Sequence, residues 1–493
     1  MSARRTTPTA PATSPTGSVP GGDLALLRAR VDGAVLVEGD PGWPQAFAPF
    51  NSAVVQHPAV AVVAETVADV VHAVRWAAER RLRVAVQSTG HGPGAPADGA
   101  LLVVTSRLRR VRVDAGTRTA FVAAGNRWGD VVPAAQEHGL APVLGSSPHV
   151  GCVGFVLGGG LGWLGRAYGF GSDHVRAFDV VTPDGSLVRA SAHDHPELFW
   201  ALRGVGGSPF GVVVGMEIDL HPLTTLYGGN LWYPAELAGE VTARWRDWVA
   251  QAPDELTSSV AWLHYPPVPG VPQALRGTAF AVVRGAWCGD PAQGRALLDE
   301  WRHWRAPQVD GWAELPFGDV GAISHDPTDP MPAMVTTELF DTLPDAAVEA
   351  AVEPWTEHLD GERLVVLGEI RHLGGAVRRG AAGAPNDRAR TAEHCLEYVT
   401  VQAQEHRRHA VERLYARTRD RLAPYVTGAT YLNFTELAEK GARTASACGT
   451  GSWQRLRTLK SVLDPDDRFC HGFAVPPFDV PLAGVPRQRP REG

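Results

Sequence analysis

No stretch of this chain approaches the ~20 consecutive apolar residues of a membrane-spanning helix, so no membrane partner is expected. Basic charge is not in excess either. The 493 residues carry a formal net charge of -7, which disfavours nucleic acid, because that partner needs a basic face. Cysteines are few and scattered: Cys152, Cys288, Cys395, Cys448 and Cys470 are odd in number and form no C-x-x-C pair. A disulfide framework or a structural zinc site is therefore not expected, and the pattern suits a reducing cytoplasm. Arg4-Arg5 could open a twin-arginine leader, but the apolar segment such a leader needs does not follow. Residues 1–22 are rich in Thr, Pro, Ser and Ala and read as a disordered tail.

Several catalytic signatures are missing too. There is no G-x-x-x-x-G-K-[ST] phosphate loop, no H-E-x-x-H and no G-x-S-x-G elbow. The glycine run from Gly158 to Gly162 is not read as a Rossmann dinucleotide site, which needs its G-x-G-x-x-G between a first strand and its helix with an acid about 20 residues later. His193-Asp194-His195 resembles a metal trio but precedes Pro196-Glu197-Leu198, where capping of a helix is the better reading. Ser146-Ser147 beside His149 could suggest a nucleophile and a base, but adjacent residues seldom face one another. No metal is expected.

What is present is glycine, 54 residues, and tryptophan, 15. Val67, Val70, Val71, Val74 and Ala77 share one face of an amphipathic helix between apolar strands at 57–66 and 83–87. Short strands follow, then residues 151–169, of which eight are glycine. That composition is too glycine-rich for a stable ordinary helix. It reads as backbone lying close to a ligand or another segment. Asp184-Gly185 marks a hairpin turn. After about residue 225, helical stretches alternate with strands in an α+β pattern. The polar segment 374–392 reads as a mobile loop, and a long helix is expected near 395–420. No internal repeat is visible.

Three glycine-rich segments, 88–94, 151–162 and 204–211, remain unexplained by these readings. Their N–H groups can form anion-binding nests, and together they could enclose a large phosphate-bearing cofactor. The first contains a histidine, in Gln87-Ser88-Thr89-Gly90-His91-Gly92. In such a turn His91 could be a cap, a catalytic base or a point of attachment.

The strings "VAVQSTGHG", "AGNRWGDVV", "GSSPHVGCVGFVLGGGLGWLGRAYGFGSDHV" and "VVTPDGSLVRASAHDHPELFWALRG" resemble, in order, the FAD domain of the berberine-bridge-enzyme-like flavoproteins of the vanillyl-alcohol-oxidase, or PCMH-type, superfamily. "YLNF" and "LKSVLDPDDRF" resemble that family's closing signature, and the likeness runs from about residue 40 to 477. It implies an α+β, two-domain PCMH-type FAD-binding fold with a separate α+β substrate domain on an antiparallel sheet. The expected division is a FAD-binding domain at 23–224, a substrate-binding domain at 225–425, a segment at 426–480 returning to the FAD domain, and a flexible tail at 481–493.

The resemblance implies FAD joined covalently through His91. Ser88, Thr89, Gly90, Gly92, Ser147, Val150, Gly151, Gly154, Gly158, Gly159, Gly160, Gly162, Gly211, Val212, Val213 and Asn433 are the further cofactor contacts it implies. The position where many relatives carry a second, cysteine tether is Ser147 here, so a single tether is expected; Cys152 reads as a small buried hydrophobe. Val150 resembles the form that admits oxygen to the reduced flavin. "RGVGGSPFG" departs from the family pattern at Ser208-Pro209. Tyr431 is the expected base or substrate positioner. Alternation places Glu369 and Arg371 on one face of a strand and His372 on the other, and either set could line the substrate pocket. The activity implied is oxidation of an alcohol, a sugar or a secondary-metabolite intermediate, with hydride passing to the flavin and O2 reduced to H2O2. A dehydrogenase with another acceptor, or a non-catalytic flavin- or ligand-binding protein, remains the alternative. Substrate identity and oligomeric state stay open.

Overall fold

The structure is a computed structural model, and it describes residues 21–478 except 208, 268–270, 272, 360 and 402–404. The expectations for tail residues 1–20 and 481–493, and for the Ser208 departure, lie outside the described residues.

Two sheets carry the cofactor-side half. The first has four strands in the order Ala34–Leu36, Val60–Val63, Leu101–Val104, Val84–Gln87. Its central pairs are parallel. Val60–Val63 and Leu101–Val104 are buried along their whole length, as parallel strands covered on both faces must be. The helix Val67–Glu79 crosses over this sheet. Thr66 caps it, accepting from Asp69 N–H, and Val70, Ala73, Val74 and Ala77 face the core. A second, antiparallel sheet holds five strands in the order Val111–Asp114, Thr119–Ala123, Val212–Asp219, Val175–Val181, Leu187–Ser191. The last two strands form the expected hairpin, with Gly185 at φ +79 in its turn.

Eight antiparallel strands form the other large sheet. Its main path runs Val309–Asp310, Thr225–Pro234, Ala279–Trp287, Leu256–His264, Val365–His372, His394–Val401, Ala333–Phe340. Helices Ala238–Val249, Pro291–Trp304, Asp345–Thr356 and Glu405–Leu422 belong to this half. Their buried Val241, Trp245, Leu298, Trp301 and Trp355 share one apolar core with Val260, Val283, Ile370 and Leu396 of the strands. The opposite face of this sheet therefore looks towards the cofactor-side half, where Leu339 and Cys395 join the other core.

Four sequence expectations change. Residues 152–157 do form a helix, Cys152–Leu157, which stops at the glycines from Gly158 onwards. Segment 374–392 is folded: helix Gly375–Arg379 and a short turn at Arg388–Arg390 are pinned by Arg390, which is fully buried and donates to Asp173, Ser172 and Asn386. The helix expected from 395 begins only at Glu405, because His394–Val401 is a strand paired on both sides. His193 and Asp194 do not cap the next helix with their side chains: both backbone N–H groups donate to Ser191 Oγ. No group of three or more potential metal ligands occurs among the described residues. None of the described helices is long and apolar enough to cross a membrane.

Candidate active site

A cleft of about 370 Å³ runs from the His91 turn to the inward face of the large sheet. The strand Val84–Gln87 ends in the turn, and Gly90 there takes φ +70, where a Cβ would lie 2.5 Å from that of Pro49. Only glycine suits that position. His91 stacks on Phe50 with ring centroids 3.9 Å apart, and its Nδ1 pairs with Thr89 Oγ1 at 2.8 Å. Its Nε2 is buried without a hydrogen-bond partner. Burial, then the positive charge of Arg127 and His149, pushes the imidazole down to about 4. His91 is therefore neutral at pH 7, the form in which a ring nitrogen has a free lone pair.

Around it, the cleft is walled by Ser88, Thr89, Gly90 and Gly92, by Ser147, Val150, Gly151 and Gly154, and by Gly211, Val213 and Asn433. Nothing lies within 4 Å of where a Cβ on Gly154 would stand, so Gly154 presents open backbone to the cleft, whereas a Cβ on Gly151 would meet Thr89 Oγ1 at 3.3 Å and Ser88 Oγ at 3.4 Å. These residues fit a long ligand with anionic groups: a helix N-terminus, a glycine turn and an unpartnered imidazole lie along one cleft.

Gly158, Gly159, Gly160 and Gly162 stand outside this wall. They are glycines because protein presses on them. A Cβ at Gly158 would lie 1.8 Å from Asn433 Oδ1, and one at Gly162 would lie 1.6 Å from the Leu144 carbonyl oxygen. Gly159 and Gly160 have positive φ and face Phe170 and Phe155. Val212 points the other way, into the core with Val60 and Val103. Ser147 Oγ accepts from His149 N–H, and Cys152 is fully buried, its thiol pushed well up by burial.

At the far end stand Tyr431, Arg371, Glu397 and Phe434. Tyr431 is buried, and its hydroxyl oxygen accepts from Leu161 N–H at 2.7 Å and from Asn433 Nδ2 at 3.2 Å. Burial pushes its phenol up, against the pull of those donors. Tyr431 thus carries its proton here, the form that can donate a hydrogen bond.

Alternation holds on the strand Val365–His372, but only Arg371 reaches the cleft. Glu369 is wholly buried between Arg284 and Arg371, and Ser259 Oγ donates to it at 2.5 Å. His372 lies on the other face, against Arg166 and His394, and burial holds it at about 2. Neither touches the cleft wall.

Glu397 does, and sequence reading missed it. It lies opposite Glu369 in register and 3.6 Å from Arg371 Nη2. Burial, with the charges of Glu369 and Asp326 and against that of Arg371, raises its carboxyl to about 8. Glu436 and Lys440 were missed as well. Lys440 Nζ donates to the Gly92 carbonyl at 2.6 Å, and Asn51 Nδ2 donates to Glu436. Burial takes Glu436 up to about 7 and Lys440 down to about 8, each opposed by the other's charge. No spacing signal in the sequence ties either pair to the cleft.

Known proteins resemble this chain in sequence and in fold. Residues 58–191 match the FAD binding domain family. The chain is 24% identical over 463 residues, 92% of its length and 99% of the relative's, to an uncharacterised FAD-linked oxidoreductase of Bacillus subtilis. It is 34% identical over 219 residues, 43% of its length and 48% of the relative's, to (R)-6-hydroxynicotine oxidase of Paenarthrobacter nicotinovorans. Its fold matches that of Physcomitrella patens BBE-like 1 with a TM-score of 0.78 at 18% identity, covering 92% of this chain and 99% of that one. The PCMH-type α+β fold expected from the motifs is the fold observed.

Proposed function

This chain is an enzyme, a homologue of the FAD-linked oxidoreductases carrying their FAD binding domain, and on that footing we propose that it is an oxidase of alcohols. His91 is its covalent and single FAD attachment. The proposed division is a FAD-binding part at 23–224 with 426–480 and a substrate-binding part at 225–425. The observation that carries the reading is Glu397: a carboxyl held near neutrality in the same cleft as the unpartnered imidazole of His91.

FAD, which His91 and the cleft-lining turns at 88–92 and 151–154 would hold, would supply the hydride acceptor for the substrate carbinol and the route of the electrons to O2, with H2O2 as the product. The chain's own residues manage the proton. The Glu397 carboxylate takes the substrate O–H proton, a task suited to a base whose pKa lies near the working pH. Tyr431, kept protonated, donates to the substrate oxygen and orients it. Arg371, fixed by Glu369, holds Glu397 in place from 3.6 Å. Val150, in the cleft wall, is a small side chain on the oxygen path.

Anaerobic mixing with a benzylic alcohol tests this. Bleaching of the flavin absorbance, followed on admitting air by rapid recovery with one H2O2 per cycle, is the expected result. Bleaching with slow recovery in air would assign a dehydrogenase, and no bleaching with any alcohol would remove the catalytic reading.

A further inference from the structure

The strand registers carry one row of side chains from the cleft across the large sheet. Val335, in the cleft wall, pairs with Val399, Val399 with Leu367, Leu367 with Leu263, and Leu263 with Phe280. Successive partners on one face of an antiparallel sheet are neighbours, so these five form a continuous line. The parallel row two residues along the strands holds Glu397 and Glu369. All five apolar residues are only half-buried, and none belongs to either large apolar core. At the far end, Trp232, Tyr265 and Phe280 gather: Trp232 and Tyr265 stack at 6.2 Å and 10°, and Phe280 meets Trp232 edge-on at 5.0 Å.

A line of half-exposed Val, Leu and Phe is unfavourable in water unless something apolar covers it. Its near end is the cleft itself, beside Glu397. We propose that this strip is the subsite for the distal part of the substrate, and that this part is a flat, apolar ring system of aromatic character. The strip's chemistry argues against a sugar there. Sugar hydroxyls need hydrogen-bond partners when they leave water, and the five residues of the row offer none from their side chains. Among the three rings at the far end, the Trp232 indole N–H is already donated to Asn230, which leaves the Tyr265 hydroxyl as their one polar group for a ligand.

The inference rests on the reading of the Glu397 cleft as the place of oxidation, because it takes the strip as an extension of that cleft. Binding is therefore measured separately from turnover. The holoenzyme is titrated with benzyl alcohol, 2-naphthylmethanol and xylobiose, following protein fluorescence and the flavin spectrum without oxygen. The expected order is naphthylmethanol at least about tenfold tighter than benzyl alcohol, as one more buried ring supplies, with xylobiose weakest. Leu367→Asn and Leu263→Asn each abolish the preference for naphthylmethanol while leaving benzyl alcohol within about twofold; two variants guard against one misfolding. The inference is overturned if xylobiose binds tightest, if naphthylmethanol gains nothing over benzyl alcohol, or if the preference survives both variants. Absence of flavin bleaching alongside the expected binding order would remove the oxidase reading and leave the strip as an aromatic-ligand site.

Discussion

Glu369 and Glu397 face each other across two paired strands, yet their surroundings drive the two carboxyls in opposite directions. Burial alone would raise Glu369, but Arg284, Arg371 and the Ser259 hydroxyl hold it at about 2. Burial and the repulsion of Glu369 and Asp326 outweigh Arg371 at 3.6 Å and the charge of Arg284, and Glu397 sits at about 8. Two carboxylates pushed apart in this way mark a division of labour, one structural and one able to exchange a proton.

If Glu397 is the base, the ionised form is the active one. Turnover should then rise with pH through about 8 and level off above it. Glu397→Gln should lower kcat by roughly 10²-fold, as loss of a general base does, and leave a flat profile. A variant retaining both the rate and the rise would assign the proton transfer elsewhere.

Glu369→Gln tests the opposite role. It leaves two buried guanidinium groups short of a counter-charge, and breaking a buried ion pair costs roughly 3–5 kcal/mol. A marked drop in the denaturant midpoint is expected, measured on protein with its full flavin content. An unchanged midpoint would mean that Arg284 and Arg371 find other partners.

The tether prediction is direct. Acid-precipitated wild-type protein should stay yellow, with the flavin mass on the peptide that contains His91 and none on peptides of Ser147 or Cys152. His91→Ala should release its flavin to the supernatant. A colourless wild-type pellet would remove the covalent bond while leaving the cleft.

Arg390 links the folded 375–392 segment to Asp173 of the cofactor-side half. Arg390→Met deletes those charge-assisted hydrogen bonds. The segment should then become the first site cut in limited proteolysis, whereas the wild type resists cleavage there.

Much of the architecture follows from local pattern. The capped helix Val67–Glu79, the Asp184-Gly185 hairpin and the glycine turn before His91 are written in spacing, capping and backbone freedom, which neighbouring residues settle among themselves. The ordered motifs around His91 and Tyr431 pointed to FAD through their resemblance to a flavoprotein family. The strand His394–Val401 is different. "HCLEYVTV" followed by a strongly helical stretch reads as the start of that helix, and only pairing with Val365–His372 on one side and Ala333–Phe340 on the other makes it a strand. Reading it as helix hid Glu397, because its place in the cleft depends on which face of a sheet it occupies. Glu369 and Arg371 share a face by alternation, but their separation into a buried carboxylate and a cleft-lining guanidinium comes from Arg284, 85 residues away in sequence. The glycines at 158–162 are legible as a close approach of backbone, and what approaches them is set by Asn433 and Leu144, brought there by the fold. Sequence by itself determined the capped helix, the hairpin, the glycine turns and the chemistry available. Tertiary structure decided burial, register and charge neighbours, and these choose which carboxyl can take a proton.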